Sequence, residues 1–237
     1  MKVLNILGRV LKYLNQDMPL QHETGYDSYW DNRREDAATI SCLSSNHRKR
    51  LLSEKLIEED AKVLDIGCGT ASLYDAFVRV NKRIDYTGYD MFNSIEDIAK
   101  SKNIKLYNKN ILEEDNLEVY DYITILNVLE HVNHPEDFIL KIKNNFSKSL
   151  FISIPNIGSL KNRLRLAVFG KFPITGVYFH VSEHIRFWTV KDFKYWARFY
   201  GFEVVAYYGA GNYFKPLIKY FPSIFSENIL YELKRIN

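Results

Sequence analysis

The residues of this 237-residue chain that could do chemistry cluster around one broken run of glycines. The stretch Lys62 to Leu73, KVLDIGCGTASL, begins as an apolar strand and ends in Gly67 and Gly69. One acid, Asp65, stands two positions before the first glycine. A second, Asp90, ends the next strand-like run, 23 positions beyond Gly67. Asn110 and Ile111 follow a third such run, Asn127, Val128, Glu130 and His131 a fourth, and Asn156 a fifth. Ligands of an open parallel sheet sit beyond the carboxyl ends of its strands, so all of these residues would meet at one edge.

The glycines let a ligand approach the backbone closely. An acid at the end of a second strand can accept hydrogen bonds from both hydroxyls of a ribose. Together they point to an adenosine-bearing ligand. The glycine spacing does not say which one. A dinucleotide loop, G-x-G-x-x-G, wants glycine at Ser72, and the S-adenosylmethionine (SAM) loop, D-x-G-x-G-x-G, wants it at Ala71. Asp65 separates the two. A carboxylate gains nothing beside a pyrophosphate, because like charges repel. It can balance the ammonium and sulfonium of SAM, directly or through water. Ala71 is expected at the helix start, where a Cβ brings no strain, so it should narrow the fit without abolishing binding. The competing reading makes the glycines a tight turn and Asp65 an incidental cap; the ordered set Asp65, Gly67, Gly69, Asp90, Asn110 and His131 weighs against it.

Methyl transfer from a sulfonium needs an in-line nucleophile and no acid for its neutral leaving group. Proximity and alignment supply much of the rate. An acceptor hydroxyl or protonated nitrogen gains from a base near neutral pKa, which suits histidine. His131 is either that base or a residue that orients SAM or its loop. His184, in SEHIRFW, is either a base or a loop histidine. His180 reads as a surface residue and His134 as a turn residue before Pro135. Lys161, Arg163, Arg165, Lys171 and Arg186 make the stretch around residues 157–188 positive. They either hold an anionic acceptor in arginine forks or line a solvated helix face. Tyr29, Trp30, Tyr178, Phe187 and Trp188 either wall the acceptor pocket or pack in the core, and Trp196, inside a regular helix pattern, belongs to the core. Asn156 completes the expected acceptor side.

The elements that must position these groups alternate. Strand patterns at KVLDIG, IDYTGYD, IKLYNKNI, YDYITILN and SLFISIPN are separated by helix patterns at TASLYDAFVRV, SIEDIAKSK (capped by Asn93 or Ser94) and HPEDFILKIKNNF. This is the rhythm of β-α-β units: an α/β fold with a mostly parallel, doubly wound, Rossmann-like sheet. Residues 1–60 read as helical, 61–156 as the SAM-binding core, 157–188 as a substrate-side insertion with one helix, and 189–237 as a helix and strand hairpin, all within one domain. Thr189 is the expected N-cap of the last long helix and Gly201 its terminator. AGNYFKPLIKYFPSIFSENI reads as irregular, and its aromatic part, Tyr213 to Phe225, either packs on the sheet or forms a homodimer interface.

Composition narrows the classes. At 46% hydrophobic and 26% charged, the chain can bury a sizeable core. A net charge of +3 is too mild to demand nucleic acid, and the D/N-P-P-Y motif of base-amine methylation is missing. Two cysteines, Cys42 and Cys68, one inside the glycine loop, suit a reduced, cytoplasmic protein. No metal-ligand spacing is visible. The amphipathic N-terminus, MKVLNILGRVLKYLN, is too short and polar to span a bilayer and lacks a cleavage site; it reads as a helix that caps the domain, with a membrane-surface or partner-binding role as the alternative.

These motifs resemble the class I SAM-dependent methyltransferases. VLDIGCGTASL is similar to that superfamily's first motif, YTGYD to its ribose-binding acid, and ITILNVLEHVNHPEDFI to its fourth-strand motif. SIPN, GKFPIT and HIRFWTVKDF resemble the MetW-like and bacterial small-molecule branch, and YDSYWDNR the N-terminal segment of methyltransferases in polysaccharide and cell-surface pathways. The resemblance implies a seven-stranded sheet with the last strand antiparallel. It puts Gly67 and Gly69 at the methionine portion, Asp90 at the ribose, Met91 and Ile111 against adenine and Asn127 beneath the sulfonium, with Cys68 and Val128 among the cofactor contacts. Asn110 replaces an aspartate that often reads the adenine amino group, and its amide oxygen can still accept from it. The implied reaction is methylation of an oxygen or nitrogen on a small molecule, such as a sugar or a phosphorylated or nucleotide-linked metabolite, with S-adenosylhomocysteine (SAH) as product. Tyr29, Asn156, Arg163, Tyr178 and Arg186 are then the expected acceptor contacts. A methyltransferase-like partner subunit with a regulatory or scaffolding role is the alternative.

Overall fold

The computed structural model describes residues 2–20, 43–91, 95–175, 183–211 and 215–236. Seven strands form one sheet: β1 (Ala61–Ile66), β2 (Ile84–Asp90), β3 (Lys105–Asn108), β4 (Tyr120–Leu126), β5 (Phe146–Pro155), β6 (Phe202–Ala210) and β7 (Asn228–Arg235). Their order is β3-β2-β1-β4-β5-β7-β6. Neighbours from β3 to β5 pair in parallel. β7 runs antiparallel to both β5 and β6, as expected for the last strand. The order reverses between β1 and β4, which opens a crevice at the carboxyl edge between them.

The central strands read as continuous apolar runs because both faces of the sheet are covered. Successive side chains point to opposite faces, and the two cores divide accordingly. Leu64 and Ile66 face one layer, with Phe138 and Ile139 of α5 (Pro135–Lys141) and Phe193 and Ala197 of α7 (Val190–Phe199). Ala61 and Val63 face the other, with Leu52 of the π-turn Leu52–Leu56 that follows α2 (Leu43–Leu51), and Leu73 and Phe77 of α3 (Ser72–Arg79). Among the described residues the remaining helices are α1 (Lys2–Asn15), α4 (Ile95–Lys102), α6 (Leu160–Phe169), α8 (Lys215–Tyr220) and α9 (Pro222–Phe225).

Local signals place the helix ends. Pro135 occupies the first turn of α5, where a missing N–H does not matter. Thr189 and Asp192 form a reciprocal capping box at α7, and Gly201 follows that helix at φ +85°. The segment expected to be irregular after β6 instead holds α8 and α9. Ile218, Pro222 and Ser226 lie so close over Gly209 that a Cβ there would meet them within 2.8 Å. This part of the segment therefore packs on the sheet. Among the described residues no helix is long and apolar enough to cross a membrane.

The C-terminal end of α1 is held chiefly by one buried side chain, with Lys171 adding a bond to Asn15 O at 2.6 Å. Arg165 of α6 is buried, and its guanidinium donates to the main-chain oxygens of Tyr13 (2.6 Å), Leu14 (3.2 Å), Gln16 (2.7 Å) and Phe172 (2.7 Å). The carbonyls at a helix C-terminus lack intrahelical partners, and here a cation supplies them.

Candidate active site

The turn after β1 is built from left-handed residues: Gly67 (φ +71°), Gly69 (φ +51°) and Ala71 (φ +52°). At Gly67 a Cβ would lie 2.2 Å from Val128 Cγ2, so the loop after β4 can close on the turn only if residue 67 is glycine. At Gly69 a Cβ would meet nothing within 4 Å, which leaves open space above the backbone. The Gly69 N–H donates to Asp90 Oδ2 at 2.7 Å, so the acid at the end of β2 touches the turn itself. The expectation for Ala71 needs correction. It is not helical but the left-handed N-cap of α3, fully buried. An L-residue there bears about 1–2 kcal/mol of strain that glycine would avoid.

Cys68 offers the cleft only its main chain. Its sulfur lies where a Cβ on Gly88 would come within 2.7 Å, and burial, then the nearby Asp65, pushes the thiol far above its ordinary range. Asp65 is also buried. Its oxygens accept from Tyr86 Oη and Thr124 Oγ1, both at 2.6 Å. Burial pushes its carboxyl up to about 6, against the pull of those two hydrogen bonds. It sits beneath the turn as an inner charge rather than an open arm.

Two cations arrive from α2 that the sequence reading passed over. Lys49 Nζ donates to Ser72 Oγ at 2.5 Å, and Arg48 Nη2 to Asn127 Oδ1 at 2.6 Å. Burial, then Arg48, lowers the lysine's pKa. In sequence they stand in the run NHRKR, which has the charge pattern of any solvated helix face. No one-dimensional signal marks them.

Asn127 (φ +60°) is a hub. Its Oδ1 accepts from Arg48 and from Ser153 Oγ (3.2 Å), and its Nδ2 donates to Glu130 Oε1 (2.8 Å) and Asn228 Oδ1 (3.2 Å). With four protein partners, its amide holds the crevice together and leaves the main chain as its route to a ligand. Asn110 likewise spends Oδ1 on the N–H of Leu112, capping a 3-10 turn. Ile111 is buried in the core, whereas Met91 is 53% exposed at the cleft edge.

Past β4, a 3-10 turn (Leu129–His131) presents Glu130 and His131. Glu130 is buried, its carboxyl raised by that burial, and its main-chain oxygen accepts from the N–H groups of Ile185 (2.9 Å) and Arg186 (3.2 Å). These bonds pin the far end of the insertion against β4. They bring His184 to His131, ring centroids 4.9 Å apart and nearly perpendicular at 71°. Sequence placed both histidines near the cleft but not against each other.

The expected acceptor contacts are largely engaged elsewhere. Asn156 bonds Ser223 O (2.9 Å), Ser226 O (3.0 Å) and the N–H of Gly158 (3.0 Å). Arg163 donates to Gly158 O (2.7 Å), and Arg186 to Asn133 O. Lys161 pairs with Glu227, and Lys171 with Asp17 (2.9 Å). With Arg165 holding α1, most of the basic stretch has a structural occupation. Phe172 and Phe187 stack edge to face at 5.3 Å, while Trp188 is buried beside Phe193. Tyr29, Trp30, Tyr178 and His180, like the proposed caps Asn93 and Ser94, lie outside the described residues.

Residues 29–207 match the family described as "Methyltransferase domain". A ubiquinone biosynthesis O-methyltransferase from Glaesserella parasuis is 27% identical over 182 residues, 68% of this chain and 72% of the relative. Among solved structures, a complex of the Trm112 methyltransferase activator with a methyltransferase, from Haloferax volcanii, matches with a TM-score of 0.65 and 11% identity, over 90% of this chain and 98% of the other. The 1,6-didemethyltoxoflavin-N1-methyltransferase of Burkholderia thailandensis, bound to its substrate and SAH, matches at 0.59 and 12% identity, over 92% and 94%.

Proposed function

The chain belongs to the methyltransferase-domain family and is a class I SAM-dependent enzyme, and from that premise we propose that it methylates a hydroxyl oxygen of a small, uncharged molecule, with a nitrogen acceptor as the second case. The observation that carries this reading is the juxtaposition of the glycine turn with the Glu130, His131 and His184 group, both at the carboxyl edge of β1 and β4.

The turn fits the cofactor. Open space stands over Gly69, Asp90 waits at the ribose position, and Arg48 and Lys49 flank the methionine end, where a carboxylate needs cations. Asp65 beneath the turn answers the ammonium. Bound there, SAM supplies an electrophilic methyl group on a sulfonium. Val128 against Gly67 and the Asn127 amide on Glu130 close the crevice, and an acceptor aligned there with the methyl group gains its rate from proximity. As the new oxygen–carbon bond forms, the sulfur–carbon bond breaks with its electron pair left on sulfur, and the acceptor's proton leaves on the side of the two imidazoles.

An uncharged acceptor is favoured over a phosphorylated or nucleotide-linked one because Lys161, Arg163, Arg165 and Lys171 already hold protein oxygens. A sugar hydroxyl, as in a cell-surface polysaccharide pathway, and an oxygen acceptor like that of the ubiquinone biosynthesis O-methyltransferase both fit. Calorimetric titration of SAM and SAH into the native protein and an Asp90→Ala variant tests the cofactor half. Binding by the native chain and a loss of at least about tenfold in the variant are expected, since several ribose hydrogen bonds at about 1–1.5 kcal/mol disappear. No binding to the native chain would overturn the reading and leave a partner subunit. SAH release with panels of neutral and phosphorylated hydroxyl compounds tests the acceptor half, and turnover confined to phosphorylated compounds would sink it.

A further inference from the structure

Glu130, His131 and His184 have features that methyl transfer alone does not explain. Glu130 is 1% exposed, and while its Oε1 accepts from Asn127, its Oε2 meets no hydrogen-bond donor among the described residues. A buried carboxylate oxygen without a partner is costly. His131 Nδ1 bonds the main-chain oxygen of Glu183. A carbonyl can only accept, so Nδ1 carries the proton and the neutral ring keeps its lone pair on Nε2. That nitrogen lies 3.9 Å from Glu130 Oε1. That gap, to the oxygen held by Asn127, is too long for a hydrogen bond; it leaves room between the ring and the carboxylate for an ion, which would draw Nε2 and Oε2 to about 2.0–2.2 Å by small side-chain movements. With His184, one donor atom from each of the three side chains lies within 4.8 Å of the others.

We propose that Glu130, His131 and His184 bind a divalent transition-metal ion of the zinc class at the acceptor end of the crevice. Two imidazoles and one carboxylate suit ions that take nitrogen, whereas magnesium and calcium prefer all-oxygen sets. The groups behind the ligands fit as well. The Glu183 carbonyl orients His131 and sets its tautomer, and the Asn127 amide holds Glu130 by Oε1, leaving Oε2 for the ion. Glu130 and His184 are buried while His131 is partly exposed, so three protein ligands leave a position open toward the cleft. An open position marks a catalytic rather than a structural ion. The ion's role rests on the transfer reading above: beside the acceptor, its charge stabilises the negative charge that a hydroxyl oxygen gains on losing its proton. The imidazole lone pairs then belong to the ion, and the proton passes to solvent. Binding of the ion does not depend on the cofactor.

The test uses the full chain, stripped with a chelator and titrated with Co2+ while visible absorption is followed, then with Zn2+ in competition. One equivalent of Co2+, displaced by Zn2+, is expected, with at least a tenfold loss of affinity in His131→Ala, His184→Ala and Glu130→Gln. His131 is partly exposed, so its variant keeps the fold, and a thermal melt checks this. SAH calorimetry on the same samples separates the two readings: Co2+ binding without SAH binding upholds the metal site and removes the cofactor assignment. Absence of stoichiometric Co2+ or Zn2+ binding by the native chain, or native-like Co2+ binding by His131→Ala, would overturn the proposal.

Discussion

The two sides of the same sheet edge follow different rules. On the side proposed for the cofactor, backbone sets the shape and side chains sit around it: Gly67 yields to Val128, Gly69 donates to Asp90, the chain reverses through left-handed residues, and Arg48 and Lys49 flank the turn. On the acceptor side, side chains from distant segments do it, and the most conspicuous of them are spent on the protein. Arg165 holds α1, Lys161 holds Glu227 and Asn156 holds the end of α9. A turn whose shape the main chain sets leaves a local mark in sequence, while a group of side chains brought together from distant segments does not.

Four substitutions test that contrast, beginning with the largest effect. Gly67→Ala puts a methyl 2.2 Å from Val128 in a left-handed residue. A loss of about 3 kcal/mol or more in denaturant unfolding is expected, with SAH binding abolished, and partial recovery in Gly67→Ala combined with Val128→Ala. A neutral Gly67→Ala would mean that backbone geometry does not govern the cofactor side. Arg165→Met strips four carbonyls of their donor. It should lower stability by about 2–3 kcal/mol while SAH affinity stays within twofold. A large drop in SAH affinity at native stability would return the arginine to a binding role.

Asp65 gives a pH signature. Its folded pKa, about 6, is raised above the ordinary 3.8, so between those values the folded state keeps a proton that the unfolded state releases. Stability from this group is full below about pH 4 and falls as pH rises to about 6, by about 2–3 kcal/mol. Affinity for the ammonium of SAM runs the other way, rising as the carboxyl ionises through pH 6. Asp65→Asn should flatten both profiles, measured by unfolding and by calorimetry from pH 4.5 to 8. A SAM affinity that is flat across pH 6 in the native chain would remove Asp65 from the cationic end. The smallest effect belongs to Ala71→Gly. Relief of left-handed strain, offset by the lost methyl and the freer unfolded chain, should stabilise by up to about 1 kcal/mol and tighten SAM two- to fivefold. A destabilised variant would show that the methyl packs too well to be a defect.

Much of the fold was legible. Alternating apolar runs, Pro135, the Thr189 and Asp192 box and Gly201 mark their elements because each acts within a few residues of chain. Ala71 was misread because residue type does not dictate φ: alanine favours a helix, and here closure of the turn onto Asp90 overrides it. Arg48 and Lys49 were missed because a basic run looks the same whether it meets water or a crevice. The Glu130, His131 and His184 group has no spacing to recognise, since 53 residues separate the histidines and two main-chain bonds from Ile185 and Arg186 to Glu130 bring them together.

Sequence therefore settled what depends on periodicity and on backbone demands: an α/β sheet, a glycine turn at its switch point, an acid one strand later, and with them the cofactor class. Folding assigned the charges around the crevice and the insertion their partners. A cation or carboxylate on a chain is ready for any opposite group, and the long-range packing of α1, α2 and the insertion on the sheet selects which one it meets. Local preference cannot carry that information, because the free energy of a charge is set by the burial and partners it acquires in the folded chain.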